Sequence, residues 1–154
     1  MKIRLIGIGK NAEPWLAVAL ADYQKRLTHY VDFKEDWLKP KAAGNDPEKI
    51  KESESNQLLA SLGEKDFVIL LDDKGKPFSS TEFSKLIEKF QTDGRKQISF
   101  VIGGSYGFSE TLYKRANQKI SLSSLTFPHQ LVRLIFTEQL FRAFSILRGE
   151  KYHH

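Results

Sequence analysis

The sequence contains no cysteine, only one methionine and only five prolines. The absence of cysteine excludes a disulfide framework, a thiolate zinc site and a cysteine nucleophile. Long apolar runs are also missing. The opening run from Leu5 to Ile8 is far shorter than a signal-peptide core, and no stretch approaches the roughly 18 apolar residues of a membrane span. We therefore expect a cytoplasmic protein with no membrane partner, and we assign no metal ligands.

The chain has 154 residues, of which 40% are hydrophobic and 28% are charged. This length is typical of one domain, so we expect a single domain over residues 1–154. Eleven Phe, five Tyr and two Trp can fill a substantial core. The composition excludes disorder of the whole chain, as well as collagen-like, coiled-coil and low-complexity classes.

Positive charge is concentrated in the C-terminal part of the chain. The net charge is +5, and from Lys114 onward seven basic residues are opposed only by Glu138 and Glu150. A basic region of this kind indicates a polyanionic partner such as RNA. A solvated basic surface without a partner would give the same pattern.

Hydrophobic spacing predicts strands that alternate with helices. Asp46-Pro47 and Ser79-x-x-Glu82 are typical helix starts, whereas Asp72 to Gly75 reads as a tight turn. The alternation predicts an α/β fold with a mostly parallel sheet flanked by helices. The predicted strands cover residues 2–8, 31–37, 67–71, 98–102 and 119–123, and the predicted helices cover 13–27, 46–62, 79–93, 109–116 and 128–147.

The last predicted helix, from Pro128 to Leu147, carries apolar residues on several sides. A helix of that kind is buried on several sides. Two arrangements satisfy this requirement: contact with a second copy of the chain, or a central position within one chain.

Three segments place small or polar residues at the ends of predicted strands, where ligands bind in parallel α/β sheets. They cover residues 71–77, 101–108 and 121–129. The second has three glycines in five residues, which lets a ligand approach the backbone closely. It matches neither a P-loop nor a dinucleotide fingerprint. The third is a loop of small residues that ends near His129, at the start of the last helix.

Taken together, these segments resemble one known family. The pattern runs Ile102-Gly103-Gly104-Ser105-x-Gly107, then Leu122-Ser123-x-Leu125-Thr126-Phe127-Pro128-His129-x-x-x-Arg133, then Glu138-Gln139-x-x-Arg142-Ala143, and ends Gly149-x-x-Tyr152-His153. In this order it is similar to the ribosomal RNA large subunit methyltransferase H family of the SPOUT superfamily. The resemblance extends over the whole chain.

The resemblance implies a specific activity and architecture. Such enzymes use S-adenosylmethionine (SAM) to methylate N3 of a pseudouridine in helix 69 of the large-subunit ribosomal RNA, and their substrate is the assembled ribosome. Their fold is a SPOUT-type sheet with a C-terminal trefoil knot, and they act as homodimers. We therefore expect a homodimeric SAM-dependent rRNA methyltransferase.

The resemblance also assigns roles to individual residues. The expected cofactor-binding residues are Leu71, Gly103, Leu122, Ser123, Ser124, Leu125, Thr126 and Phe127. The expected catalytic residues are His129, Arg133, Tyr152 and His153. Candidate phosphate contacts are Lys114, Arg115, Arg133, Arg142, Arg148 and Lys151, although Arg142 is also spaced to pair with Glu138 one helical turn away.

The tail after Gly149 has little apolar content besides Tyr152, so we expect it to be mobile and to add nothing to the core. The family implies that it closes over the cofactor, from the partner subunit. Relatives continue with a basic residue after Tyr-His, and His154 in that place is expected to weaken one phosphate contact.

Two other classes of function remain open from the sequence. A non-catalytic RNA-binding module would share the basic region but would have no affinity for SAM. A nucleotide-hydrolysing protein would need a metal-binding carboxylate near the phosphates, such as Asp72 or Asp73.

Overall fold

The computed structural model describes residues 1–153, so the expectation for His154 lies outside the described residues. Strands and helices alternate along this part of the chain as predicted. The strands are β1 (Lys2–Ile8), β2 (Asp32–Leu38), β3 (Phe67–Pro77), β4 (Gln97–Ile102) and β5 (Gln118–Ser121), and the helices are α1 (Pro14–Leu27), α2 (Pro47–Ser61), α3 (Ser80–Thr92), α4 (Glu110–Arg115) and α5 (His129–Leu147).

The five strands form one sheet in the order β2-β1-β4-β3-β5, and every neighbouring pair is parallel. The α/β class with a parallel sheet flanked by helices is therefore confirmed. Because parallel strands all end at the same edge, the segments that follow β3, β4 and β5 are brought together there. These are the three segments that the sequence singled out.

Local sequence signals explain where the helices begin. The Asp46 side chain accepts a hydrogen bond from the Glu48 backbone N–H at 3.0 Å, and Pro47 occupies the first turn of α2. Ser79 and Glu82 form the reciprocal capping box of α3. Each cap satisfies backbone donors that the first turn of a helix leaves without partners.

The core has two parts, one on each face of the sheet. On one face α1, α3 and α5 cover the strands, and the rings of Phe83, Phe100 and Phe136 meet there with centroids 4.7–6.2 Å apart. On the other face α2 and α4 contribute Leu58 and Leu112.

Helix α5 lies between α1 and α3 and packs on the sheet within the same chain. Its central position therefore accounts for much of its apolar content. Leu131, Leu134 and Ile135 remain half-buried. No helix within residues 1–153, α5 included, combines the length and hydrophobicity that crossing a membrane requires.

One local prediction was wrong. The segment from Asp72 to Gly75 is not a turn that ends the strand but a bulge inside β3, because Leu71 and Lys76 both pair with Ile120 of β5. The backbone of Gly75 lies so close to β5 that a Cβ there would stand 2.5 Å from the Ile120 carbonyl carbon. The absence of a side chain at Gly75 therefore lets the strand resume pairing after the bulge.

Candidate functional site

A cavity of about 500 Å³ opens at the edge where the strands end. Its walls come from the end of β3 with its bulge, the β4–α4 loop and the β5–α5 loop. The first turns of α5 and single side chains of α2 and α4, Lys51 and Tyr113, complete it. The volume falls within the roughly 300–1,000 Å³ of small-molecule sites.

The β4–α4 loop brings bare backbone to the cavity. A Cβ at Gly103 would stand 3.0 Å from the Phe108 ring, and one at Gly104 would overlap the Glu54 carboxylate. Gly107 has a φ of +78°, a conformation that favours glycine. Gly103 and Gly104 thus allow Phe108 and Glu54 to pack closely against the loop, and burial raises the pKa of Glu54.

The β5–α5 loop is held by its own serines. Ser121 Oγ donates to the Ser123 carbonyl at 2.8 Å, and Ser123 Oγ accepts from the Leu125 N–H at 2.9 Å. Leu125 lines the cavity, yet 68% of its surface is exposed. The loop therefore offers an apolar surface that a flat ligand in the cavity would cover.

The bulge in β3 carries a carboxylate into the cavity. Tyr113 Oη donates to Asp72 Oδ2 at 2.5 Å, and the Lys74 N–H donates to Asp72 Oδ1 at 2.9 Å. Burial alone would raise the pKa of Asp72, but these hydrogen bonds and the charge of Lys119 outweigh it and lower the pKa. Asp72 is therefore ionised at neutral pH.

His129 lies in the first turn of α5 and lines the cavity. Burial lowers its pKa below the usual 6.5. The imidazole is therefore neutral at pH 7 and can accept a proton.

Residues 1–153 match the family model described as "Predicted SPOUT methyltransferase". The chain belongs to the SPOUT methyltransferase family. Three relatives named "Ribosomal RNA large subunit methyltransferase H" illustrate the similarity. The protein from Christiangramia forsetii is 49% identical, that from Parabacteroides distasonis 47% and that from Clostridium botulinum 44%. Each alignment covers at least 99% of this chain and 99% of the relative, so the resemblance inferred from the motifs is confirmed.

Most of the cofactor residues expected from the family line the cavity of this SPOUT methyltransferase. Ser124 is the exception, since it lies in the same loop but outside the cavity wall. Those that line it are Leu71, Gly103, Leu122, Ser123, Leu125, Thr126 and Phe127.

The four expected catalytic residues are not brought together within one chain. His129 lines the cavity, whereas Arg133, Tyr152 and His153 do not. The four residues that the family resemblance groups as catalytic therefore form no single cluster within residues 1–153.

Arg133 of this SPOUT methyltransferase is buried, with a side chain only 8% exposed. Its Nε donates to Glu35 Oε1, and its guanidinium lies 4.0 Å from the centre of the Trp37 ring. Glu35 also accepts from Gln24 Nε2 at 2.6 Å. The ion pair gives the buried Glu35 a partner, and it leaves Arg133 inaccessible to an RNA phosphate in this arrangement.

Tyr152 packs on the outside of α5 instead of projecting freely. Its ring contacts Phe141 with centroids 4.8 Å apart, and its hydroxyl donates to Glu138 Oε1 at 3.1 Å and lies 3.2 Å from the Tyr23 hydroxyl. The Arg142 guanidinium stands 4.7 Å from the ring centre. The expectation that the tail adds nothing to the core was therefore wrong for Tyr152, because its aromatic ring packs against the edge of the core.

Several of the candidate phosphate contacts already have partners. Arg142 Nη2 lies 2.6 Å from Glu138 Oε1, as its spacing predicted, and Arg148 donates to the His29 carbonyl. Arg115 donates to the Gly63 carbonyl, and Lys114 pairs with Glu110 in an exposed ion pair. Exposed pairs of this last kind are weak, so Lys114 can exchange its partner for a phosphate at little cost.

Some residues that reach the cavity from α2 and α4 were not predicted from the sequence. Lys51 and Tyr113 line it, and Glu54 supports its glycine loop. Lys51 and Glu54 lie far along the chain from the motifs, whereas Tyr113 lies six residues after Gly107. Only the packing of α2 and α4 on the sheet brings all three to the cavity. Asp72 had a usable signal, because it directly follows a buried strand.

Proposed function

We propose that this SPOUT methyltransferase transfers a methyl group from SAM to N3 of a pseudouridine in helix 69 of the large-subunit ribosomal RNA, with the assembled ribosome as substrate. The names of the relatives support the coarser part of the proposal, methylation of large-subunit rRNA. The target nucleotide and the requirement for assembled ribosomes rest on the motif resemblance. We also propose a single domain over residues 1–154, located in the cytoplasm, whose C-terminal part forms a trefoil knot.

The observation that carries the proposal is the cavity at the ends of β3, β4 and β5. It is large enough for a nucleoside cofactor, and its walls pair apolar side chains with exposed backbone. Leu71, Leu122 and Leu125 can enclose the flat purine, while the backbone near Gly103 and Thr126 can hydrogen-bond to its polar edge. The residues present therefore fit SAM.

The cofactor supplies a methyl group bound to a positively charged sulfur. Transfer of that methyl group to N3 would leave the electron pair of the broken S–C bond on sulfur, and a residue of the cavity wall would have to accept the N3 proton. The cavity walls contribute by fixing the direction from which N3 approaches and by excluding water.

We assign the role of proton acceptor to neutral His129, which lies within the cavity wall. Its lowered pKa supports this role, because the imidazole is unprotonated and available at pH 7. Tyr152 and His153, which pack on α5 of their own chain, are proposed to reach the cavity of a partner subunit. In that arrangement Tyr152 stacks on the target base.

We propose that the active form is a homodimer. The outward side of α1 exposes 58% of Trp15 and 74% of Val18, and α5 leaves Leu131, Leu134 and Ile135 half-buried. Trp15 and Val18 lie one helical turn apart, and exposed apolar residues that adjoin in this way are typical of interaction surfaces. Light scattering should give a mass of about 35 kDa, twice the 17.7 kDa of the chain. Val18→Glu, which alters an exposed residue, should shift the mass toward the monomer. A charged substitution at Phe136 of α5 would not test the dimer, because Phe136 is fully buried within its own chain and the change would disturb the fold itself.

The deciding experiment is methyl transfer from labelled SAM to 70S ribosomes of a strain that lacks the gene, followed by mapping of the labelled nucleotide. Free large subunits and naked rRNA serve as matched substrates. The proposal expects label on one helix 69 pseudouridine, predominantly with 70S ribosomes. Label at another position, or equal labelling of naked rRNA, would contradict the finer assignment.

Calorimetric titration with SAM, GTP and ATP separates the other classes of function. A methyltransferase binds SAM, an RNA-binding module binds none of the three, and a nucleotide hydrolase binds GTP or ATP. Asp72 and Asp73 belong to no group of three or more potential metal-ligating side chains within residues 1–153. Neither the family match nor the names of the relatives points to a hydrolase.

A further inference from the structure

The bulge in β3 gives the cavity a charged group that the family motifs do not assign. Four residues leave the ladder between Leu71 and Lys76, and three of them, Asp72, Asp73 and Lys74, line the cavity. Bulges next to functional sites often redirect a side chain. Had β3 simply continued, Asp72 would have lain within the regular ladder beside β5.

Asp72 is held in one orientation from two directions. Tyr113 Oη binds one carboxylate oxygen at 2.5 Å, and the Lys74 N–H binds the other at 2.9 Å. Tyr113 is itself fixed, because its ring packs edge-on against Phe108 at 5.7 Å and carries the Lys119 ammonium 5.2 Å from its centre. Both Phe108 and Tyr113 line the cavity.

These two hydrogen bonds leave lone pairs of the carboxylate unused. An ionised carboxylate has about four acceptor positions, and no Lys, Arg or His of residues 1–153 forms an ion pair with Asp72 within 4.0 Å. An oriented, ionised acceptor in a nucleoside-sized cavity is suited to hydroxyl donors. Acidic side chains at the ends of parallel strands bind ribose hydroxyls in this way.

We propose that Asp72 accepts hydrogen bonds from the ribose hydroxyls of the bound nucleoside and that Tyr113 is its positioning residue. This inference rests on the proposed use of an adenosine cofactor. It assigns Asp72 a role in ligand selection, because a ligand that lacks the hydroxyl leaves the carboxylate facing the cavity with an unused acceptor.

The test uses the full-length protein and S-adenosylhomocysteine (SAH), which binds without reacting, together with its 2′-deoxy and 3′-deoxy analogues. Calorimetric titration gives the affinity of each ligand. For the wild-type protein we expect at least one deoxy analogue to bind about 10- to 100-fold more weakly than SAH, the range typical of a hydrogen bond to a charged group.

Asp72→Asn should weaken SAH binding about tenfold and reduce the discrimination against the deoxy analogue to below about threefold. Tyr113→Phe, which keeps the ring and removes the hydrogen bond to Asp72, should also reduce the discrimination against the deoxy analogue, but by a smaller factor. Asp93→Asn is the matched control, since it makes the same charge change at an exposed position outside the cavity wall and should keep the wild-type discrimination ratio. Thermal melting establishes that each variant is folded, and Tyr113→Phe keeps the test usable if Asp72→Asn is not.

The proposal would be overturned if folded Asp72→Asn and Tyr113→Phe proteins still distinguished SAH from its deoxy analogues as strongly as the wild-type protein does. An Asp72→Asn protein that binds SAM more weakly but SAH normally would also overturn it, because Asp72 would then recognise the charge on sulfur. If the wild-type protein binds neither SAM nor SAH, the proposed function itself fails.

Discussion

The two halves of α5 differ in what surrounds them. Two of the expected catalytic residues, His129 and Arg133, lie in the first half, whereas a third, Tyr152, packs against the second half. At the first turn His129 faces a cavity that is open to a ligand. In the second half Glu138 and Phe141 are covered by the chain's own Tyr152. At about 1.5 Å per residue, His129 and Glu138 are about 14 Å apart along the helix. One chain in this arrangement has both the cavity and the packed tail but holds them apart, so the two can cooperate only between subunits or after the tail moves.

The largest expected effect concerns Arg133, which lies in the first half of α5. Arg133→Met leaves the buried Glu35 carboxylate without its partner and should lower the free energy of unfolding by about 3–5 kcal/mol. Urea denaturation measures the change. The double variant with Glu35→Gln should recover part of the stability. A folded Arg133→Met protein of normal stability but without activity would instead favour a direct catalytic role.

Removal of residues 150–154 tests whether the tail takes part in methyl transfer. Methyl transfer should fall by about 100-fold or more, as for a lost acid–base group, while SAM affinity changes little. Because Tyr152 packs on Phe141, the melting temperature should also fall slightly, since such an aromatic pair contributes about 0.5–1.5 kcal/mol. Tyr152→Phe keeps the ring and controls for this loss of packing. Wild-type transfer by the truncated protein would remove the tail from the mechanism.

Gly103→Val tests the cavity side. The added atoms must displace the Phe108 ring, which lies 3.0 Å from a Cβ at this position, so the cavity wall changes shape. Overpacking of this kind costs about 1–3 kcal/mol, which would weaken SAM binding about 10- to 100-fold if expressed at the site. Gly103→Ala is the graded control and should weaken binding less. Equal, wild-type affinities for both variants would show that SAM does not depend on this loop.

The smallest effect is a pH dependence at His129. Its pKa is lowered in the folded protein, so the unfolded chain binds the proton more readily than the folded one. The stability that depends on neutral His129 is complete above the unfolded pKa, near 6.5, and is lost as pH falls toward the lower, folded value. In His129→Gln this component of the acid destabilisation should be absent from urea midpoints measured between pH 5 and 7. An unchanged pH profile in that variant would show that His129 is not buried as described.

The sequence predicted the regular elements well because their signals are local. The caps at Asp46 and Ser79 and the apolar runs of β3 and β4 depend only on near neighbours. The bulge after Leu71 was not predictable in this way, since its cause is the close approach of Gly75 to Ile120 on another strand.

The same distinction between local and long-range signals applies to the site. The loops that carry the motifs were predicted because they follow strands that end at one edge of the sheet. The tether from Tyr113 to Asp72 depends on the packing of α4, and the burial of Arg133 depends on Glu35 from β2. The knot, the dimer and the RNA target stay predictions from the family resemblance.

The most direct test of the account is complementation between two inactive variants in one dimer. One carries Gly103→Val and supplies an intact tail, and the other carries Tyr152→Ala with His153→Ala and supplies an intact cavity. Heterodimers are purified through two different affinity tags and assayed for methyl transfer to 70S ribosomes at limiting SAM. Because one of their two sites then combines an intact cavity with an intact tail from the partner, the account predicts about half the wild-type rate. Heterodimers as inactive as both parent homodimers would contradict it, because each tail would then serve the cavity of its own chain.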